Sequence, residues 1–229
     1  MRRTQAILAS HSHYDHVLDL PAFAQLCDAD VYGSASAAMV ARDGDVSEEK
    51  IHIVSPGDVI HAGAFEIHVL SSQHSPMSRF NDDTGTEMTE PLRQPARLRD
   101  FHEGGPFDYY VMHPEGRLLL RPGCSVPAEE YGALPYDTLF FGVGPFALQR
   151  AAWKEEVWTG SLVRPDIRVI PIHHDDFFRP YAKPMKLLPV GMGQGARRWI
   201  TRRCQEEGRE VIWLSSGQHI DLYAKRVGS

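Results

Sequence analysis

Three histidines and one aspartate stand within six positions near the start of the chain, in the sequence "HSHYDH". They are His11, His13, Asp15 and His16, and they follow an apolar run that starts at Ala6. His11 and His13 are two positions apart, so both side chains point the same way from an extended backbone. Asp15 and His16 lie just beyond the bend. Neutral imidazole and carboxylate suit zinc, iron or manganese, so the spacing predicts one metal ion at the first pair and a second ion at the other.

The residues around this cluster predict the elements that position it. Residues 4–10 have the pattern of a short buried strand, residues 17–29 that of a helix, and residues 29–44 repeat the strand and helix. From Lys50 the period changes to two, which predicts successive strands. Further strands are predicted at 109–123, 136–146, 166–180 and 209–218, and further helices at 151–165 and 196–208. The order predicts an α/β protein whose sheets are covered by helices.

Other candidate ligands also stand where strand-like runs end. They are His74, Cys124, and His173 with His174. In α/β proteins the ends of strands converge on one rim of a sheet and carry the sites. The remaining histidines lie at alternating strand positions or in loops, and we interpret them as structural: His52, His61, His68, His102, His113 and His219.

Residues 75–108 have no sustained period and are rich in Pro, Gly and charge. A loop of this length inside a compact domain is typical of a lid or a binding loop, so we predict one domain, 1–229, with a lid-like insertion at about 75–108. Its arginines Arg93, Arg97 and Arg99 are candidates for contacting an anionic substrate. The alternative is that they form an ordinary solvated face.

The composition narrows the classes of partner. A net charge of −6 with scattered Lys and Arg leaves no basic surface for a polynucleotide. The three cysteines are far apart, odd in number and without CxxC spacing, so they indicate neither a disulfide framework nor a zinc knuckle, as is typical of cytosolic proteins. No apolar run is long enough to span a bilayer. We therefore predict a cytoplasmic protein that acts on a small molecule without nucleic acid or membrane, and a homo-oligomer is left open.

The motifs carry a resemblance to a known family. "HSHYDH" resembles the HxHxDH signature of the metallo-β-lactamase superfamily, "SSQHS" is similar to its segment with the third histidine, and "VIPIHHDDF" resembles its last motif. Together with "VYGSASA" and "LFFGVGPF", the pattern looks most like the branch that contains L-ascorbate-6-phosphate lactonase. The resemblance implies that His74 completes the first metal site and that His173 joins Asp15 and His16 at the second.

The same resemblance implies the fold and the chemistry. The fold would be the αββα four-layer sandwich, and the activity would be hydrolysis of an ester, lactone or phosphoester. The cofactor would be one or two zinc ions, with Mn²⁺ or iron as alternatives, and the metal would activate a water by lowering its pKa to roughly 7. Asp15 would orient the nucleophile and take up its proton. His174, Asp175 or Asp176 would support a liganding imidazole through hydrogen bonds.

Two departures from the family pattern leave alternatives open. Where most members carry a bridging aspartate, this chain has "PGCS", so Cys124 is either a thiolate ligand or a small packing residue. Only ten residues precede His11, which predicts a shortened N-terminal start. A non-catalytic metal-binding or regulatory module of the same fold is therefore the first alternative, and redox chemistry at an iron pair is the second.

Overall fold

The computed structural model describes residues 4–76, 83–93, 95–123, 125, 127, 129–162, 164–179 and 184–223. The chain divides into two compact units, Met1–Tyr109 and Tyr110–Ser229. Each unit contains strands packed against helices, so the predicted α/β class is observed in both.

The first unit begins with alternating strands and helices and ends with antiparallel strands. Its elements are β1 (Ala6–Leu8), α1 (Tyr14–Val17), α2 (Leu20–Cys27), β2 (Asp30–Gly33), α3 (Ala35–Asp43), β3 (Ile51–Ile53), β4 (Val59–Ala62) and β5 (Phe65–Ser71). Strands β1, β2 and β3 form a parallel sheet in that order, with Leu8 opposite Tyr32 and Tyr32 opposite His52. Strands β4 and β5 pair antiparallel, with Ile60 opposite Ile67.

Small residues bring helix α3 close to the parallel sheet. A Cβ at Gly33 would lie 2.9 Å from the Ala37 Cβ and 3.0 Å from the Ala9 Cβ, so a larger residue at position 33 would push the helix from the strands. Ser34 begins the helix by accepting a hydrogen bond from the Ala37 backbone N–H at 3.3 Å. The "VYGSASA" segment thus contains the end of β2, the glycine at which α3 packs closely on the sheet, and the N-cap of α3.

The core of the first unit includes residues from the predicted lid. Met88, Leu92 and Phe101 are buried in the same cluster as Val17 and Val31. Burying each of these large side chains is worth about 1.5–3 kcal/mol. The described part of the predicted lid-like segment is therefore anchored to the core, and its coverage of a substrate stays a prediction.

Strand β6 (Phe107–His113) crosses from the first unit to the second. The second unit continues with β7 (Gly116–Arg121), β8 (Thr138–Gly142), α4 (Ala151–Ser161), β9 (Arg168–Ile172) and α5 (Met192–Glu207). Its strands lie in the order β6-β7-β8-β9. Strands β7, β8 and β9 run parallel, with Leu119 opposite Leu139 and Leu139 opposite Val169.

Aromatic side chains fill the core of the second unit. Phe141, Phe146 and Trp158 are fully buried, and Phe141 meets Phe146 and Trp158 edge to face with ring centroids 5.6 and 6.0 Å apart. Such edge-to-face contacts add about 0.5–1.5 kcal/mol each beyond the burial of area. Trp199 of α5 packs on the same cluster, which fixes that helix against the sheet.

Two expected elements differ from the observed ones. The predicted helix at 17–29 is two helices, α1 and α2, separated at Leu18–Asp19. The predicted last strand at 209–218 is wrong: only Val211 forms a bridge, to Val169, and the chain then turns at Ser215–Gln218. Short 3-10 helices lie at Glu48–Lys50, Leu98–Asp100, Glu129–Ala133 and Phe146–Leu148. None of the helices in the described residues is sufficiently long and apolar to cross a membrane.

Candidate metal centre

The backbone beyond β1 is held by hydrogen bonds to the far end of the predicted lid segment and to β6. The Phe107 N–H donates to the Ser10 carbonyl at 2.6 Å, and the Ser12 N–H donates to the Glu103 carbonyl at 2.9 Å. The Tyr109 hydroxyl donates to the Ala9 carbonyl at 2.7 Å. These bonds satisfy a buried backbone that no regular strand pairs, and so they fix the direction of the side chains at 11 and 13.

Three imidazoles meet at this point. The rings of His11 and His13 lie 4.9 Å apart between centroids, and His74 lies 4.9 Å from His11 and 4.8 Å from His13. One nitrogen from each ring can be chosen so that all three atoms are within 4.8 Å of one another. His11 and His13 are buried and His74 is half-buried. The family resemblance implies that these three histidines share one metal site, and the structure brings them together.

Each of the three rings has a hydrogen-bond partner on one nitrogen. His11 Nδ1 lies 3.0 Å from the Ser10 hydroxyl, His13 Nε2 lies 3.2 Å from Asp83 Oδ1, and His74 Nδ1 lies 2.8 Å from the Ser75 carbonyl oxygen. Liganding histidines in proteins have their second nitrogen engaged in this way. Three imidazoles, each with one nitrogen hydrogen-bonded and the other left for an ion, are a suitable donor set for zinc, iron or manganese. The residues therefore fit the metal that the resemblance implies.

Asp83 was not predicted from the sequence. One of its oxygens faces His13, and the other accepts the Glu103 backbone N–H at 3.1 Å and lies 3.5 Å from His102 Nδ1. Burial alone would raise the pKa of Asp83, but its interactions with His13, the Glu103 N–H and His102 together lower that pKa below its ordinary value. The carboxylate is therefore ionised at neutral pH.

Ser12 and Glu103 form the other side of this turn. The Ser12 hydroxyl is fully buried and donates to the His102 and Glu103 carbonyls at 2.6 and 3.0 Å. The Glu103 carboxylate is 1% exposed and accepts the Gly85 backbone N–H. Gly104 has φ +69°, and a Cβ there would collide with Ser12 and Ser36. The segments 83–86 and 102–104, which we call the strap, are hydrogen-bonded to each other. Segment 102–104 is bonded directly to Ser12, the residue between the two histidines.

Asp15 and His16 lie at the start of α1. His16 Nε2 is 3.6 Å from Asp15 Oδ2, its Nδ1 is 3.4 Å from the Ser10 hydroxyl, and its ring centroid is 3.8 Å from that of His11. His13 is the N-cap residue of this four-residue helix. The bend that sequence analysis expected after His13 is therefore a helix start.

The candidates after β9 lie in the second unit. His173 has φ +61°, and its ring meets Phe177 edge to face at 4.7 Å. A Cβ at Gly144 of the "GVGPF" segment would lie 2.8 Å from His173 Nδ1, so glycine leaves the space that the ring occupies. The joint metal site of His173 with Asp15 and His16 stays a prediction.

The neighbours of His173 are engaged within the second unit. His174 is buried against Trp213, with ring centroids 5.1 Å apart, and its burial lowers its pKa below the ordinary value. Asp175 forms a bridge to Leu187, and Asp176 pairs with Arg179 at 3.0 Å. Their predicted support of a liganding imidazole is untested and stays a prediction.

The remaining candidates are the arginines predicted to contact a substrate and Cys124. Arg97 and Arg99 are exposed and flank or belong to the 3-10 helix at Leu98–Asp100, and Arg93 is exposed too. Their contact with a substrate stays a prediction. Cys124 lies outside the described residues, so its role as a ligand or packing residue also stays a prediction.

The comparisons with known proteins identify the fold. Residues 1–92 match the family model described as the beta-lactamase superfamily domain. Among solved structures, Igni18, a metallo hydrolase from Ignicoccus hospitalis, is 12% identical with a TM-score of 0.56, over 94% of this chain and 78% of its own. The fold is that of the metallo-β-lactamases. The predicted fold class is therefore confirmed, whereas no curated protein sequence matches the chain.

Two other solved structures similar to this chain differ in their metals. Zn²⁺-bound PqqB from Methylobacterium extorquens is 14% identical, with a TM-score of 0.54 over 92% of this chain and 71% of its own. CmlA, a diiron β-hydroxylase from Streptomyces venezuelae, is 12% identical, with a TM-score of 0.56 over 93% of this chain and 44% of its own. The fold thus occurs with zinc and with iron, and similarity of fold does not fix the metal here.

Proposed function

We propose that this chain is a metal-dependent hydrolase that uses a metal-activated water to cleave an ester, lactone or phosphoester bond in a small molecule. The observation that carries the proposal is the cluster of His11, His13 and His74, whose candidate ligand atoms lie within 4.8 Å of one another. A metal held there would lower the pKa of a water to about 7 and so supply a nucleophile near neutral pH.

The residues of the chain supply the rest of the mechanism. His11, His13 and His74 would hold the ion, while Ser10, Asp83 and the Ser75 carbonyl keep their rings in place. Asp15 is 11% exposed in its side chain and lies at the start of α1. We assign it the orientation of the nucleophile and the uptake of its proton. A carboxylate close to the nucleophile can accept its proton.

Zinc is the metal we propose, since three imidazoles form a common catalytic zinc site. Manganese or iron would also be accepted by imidazole and carboxylate ligands. A second ion at Asp15, His16 and His173, with or without Cys124, belongs to the same proposal and is carried by the sequence resemblance alone.

Metal analysis combined with a substrate panel tests the proposal. The purified protein is analysed for zinc, iron and manganese and then assayed with generic ester, lactone and phosphodiester substrates. We expect bound metal and turnover, and we expect both to be lost in His13→Ala. His52→Ala is the matched control, because His52 is paired with Asp30 and stacked on Tyr32, away from the cluster.

Other outcomes would redirect the proposal. Bound zinc with no turnover that depends on His13 would indicate a non-catalytic metal-binding module. Stoichiometric iron without hydrolysis would indicate redox chemistry.

A further inference from the structure

The partners of the ring nitrogens in the histidine cluster determine which nitrogen of each ring is left for a metal. A neutral imidazole carries one N–H and one lone pair, and only the lone pair can bind an ion. A carboxylate or a carbonyl oxygen can only accept a hydrogen bond, so a ring nitrogen that bonds to either of them must carry the hydrogen.

The hydrogen bonds of His13 and His74 fix opposite tautomers of the two rings. His13 Nε2 donates to Asp83 Oδ1 at 3.2 Å, which leaves the lone pair on Nδ1. His74 Nδ1 donates to the Ser75 carbonyl at 2.8 Å, which leaves the lone pair on Nε2. His11 Nδ1 faces the Ser10 hydroxyl, which can donate or accept, so its tautomer is not fixed by that bond.

We propose that Asp83 is a positioning residue that makes His13 a metal ligand through Nδ1 and couples it to the strap. This inference rests on the proposed metal site of His11, His13 and His74. The carboxylate is well placed for the role because its two oxygens have different partners. Oδ1 accepts from the His13 ring, and Oδ2 accepts from the Glu103 backbone N–H at 3.1 Å.

The strap holds the Asp83 carboxylate through a set of hydrogen bonds centred on Glu103. Glu103 contributes its carbonyl to Ser12, its N–H to Asp83 and its buried carboxylate to the Gly85 N–H. Asp83 and the liganding segment are thus held by the same few residues. A carboxylate fixed in this way selects one tautomer of His13 and one orientation of its ring.

The first test reads the liganding nitrogen directly. The metal-free protein with ¹⁵N-labelled histidine is loaded with ¹¹³Cd²⁺, and one-bond couplings between cadmium and ring nitrogens are measured by NMR. We expect coupling to His13 Nδ1 and to His74 Nε2. Coupling to His13 Nε2 would overturn the proposal. No bound cadmium at all would instead overturn the metal site on which it rests, so the two failures are distinguishable.

The second test removes the carboxylate. Asp83→Ala is expected to weaken the cadmium affinity, measured by competition with a chelator, by about 10- to 100-fold, the usual effect of losing a hydrogen-bond partner of a metal ligand. Asp83→Asn keeps one amide oxygen as an acceptor and is expected to lose less. In metal-free Asp83→Ala we also expect the His13 proton to distribute between Nδ1 and Nε2 in the ¹⁵N spectrum, a change that loss of stability alone does not produce.

The matched control is Asp30→Asn. Asp30 also pairs with a histidine, His52, at 3.6 Å, and its removal changes the net charge by the same amount as Asp83→Asn. We expect its cadmium affinity and its His13 couplings to equal those of the unmodified protein. An Asp83→Ala protein that is folded and binds cadmium as tightly as this control would contradict the proposal.

Discussion

Strand β1 of the first unit and strand β9 of the second are each followed by histidines, and the two segments after these strands are built differently. After β1 the backbone is extended at His13, with φ −61° and ψ 149°, and the rings of His11 and His13 lie 4.9 Å apart between centroids. After β9 the backbone turns left-handed at His173, with φ +61°. Residue spacing determines side-chain direction in an extended segment, whereas a single left-handed residue redirects the chain. A motif in an extended segment is therefore easier to interpret from sequence than one at a left-handed turn.

The largest effect is expected from removing His74, the ligand that is distant in sequence from His11 and His13. His74→Ala is expected to reduce turnover about 1,000-fold, because the stabilisation that a metal gives the transition state is worth several kcal/mol. His68→Ala is the control, since His68 lies on the same strand β5 but pairs with Glu66 near the surface. Metal content and kcat measured on both variants check the comparison. Equal activity in both would show that His11 and His13 suffice without His74.

A second prediction concerns the strap that holds the end of β1. Gly104→Ala forces a side chain onto a residue with φ +69° and against Ser12 and Ser36. We expect a loss of about 2–3 kcal/mol in the free energy of unfolding from strain and overpacking. Urea denaturation measures the loss. Gly105→Ala is the control for positive φ alone, because Gly105 has φ +82° and nothing lies within 4 Å of its Cβ position. Similar losses in both variants would mean that contact with Ser12 is unimportant.

A third prediction compares the two ends by backbone strain. Asn tolerates the left-handed region better than Ala does, so His173→Ala is expected to be about 1 kcal/mol less stable than His173→Asn. At His13 the backbone is extended, and we expect no such preference for Asn over Ala. Unfolding free energies of the four variants measure the difference. A stability gap of the same size at both positions would contradict the distinction between the two ends.

The smallest expected effect lies in the second unit, away from its strand end. Burial tends to raise the pKa of Glu207, but hydrogen bonds from Arg209 and Trp158 lower it below its ordinary value. A carboxyl with a lowered folded-state pKa stabilises the fold above its unfolded-state pKa and loses this contribution as the pH falls through the folded-state pKa. Glu207→Gln is expected to cost about 0.5 kcal/mol at neutral pH. The difference from the unmodified protein should shrink below about pH 4. Unfolding curves from pH 3 to 7 test this, and a difference independent of pH would contradict it.

The sequence was sufficient for the parts of the fold and site that depend on local pattern. The strand before His11, the small-residue helix α3 and the paired histidines all follow from spacing within a few residues. His74 required a resemblance, because a lone histidine after a strand has no local signature. The split between α1 and α2 was missed since the apolar spacing continues across Leu18 and Asp19, although Pro21 near the start of α2 was an available signal.

The strap and the buried residues of the lid-like segment could not be predicted from the sequence. Met88, Leu92 and Phe101 are isolated apolar residues in a polar segment, and without a period they do not reveal that they are buried. Asp83 belongs to the turn-like sequence "NDDTG", and its partner His13 is 70 residues away. Asp83 and His13 are brought together only by long-range packing, which cannot be inferred from a single sequence.

Ser12 requires the two histidines to be separated by one residue. Its hydroxyl bonds to the strap carbonyls while the rings on either side of it meet His74. Adding or deleting one residue between His11 and His13 would exchange these directions, aiming a hydroxyl at the ion and an imidazole at the strap. Length variation is therefore excluded from this turn, while the same insertion at the exposed turn at Glu115, between β6 and β7, would leave the site intact.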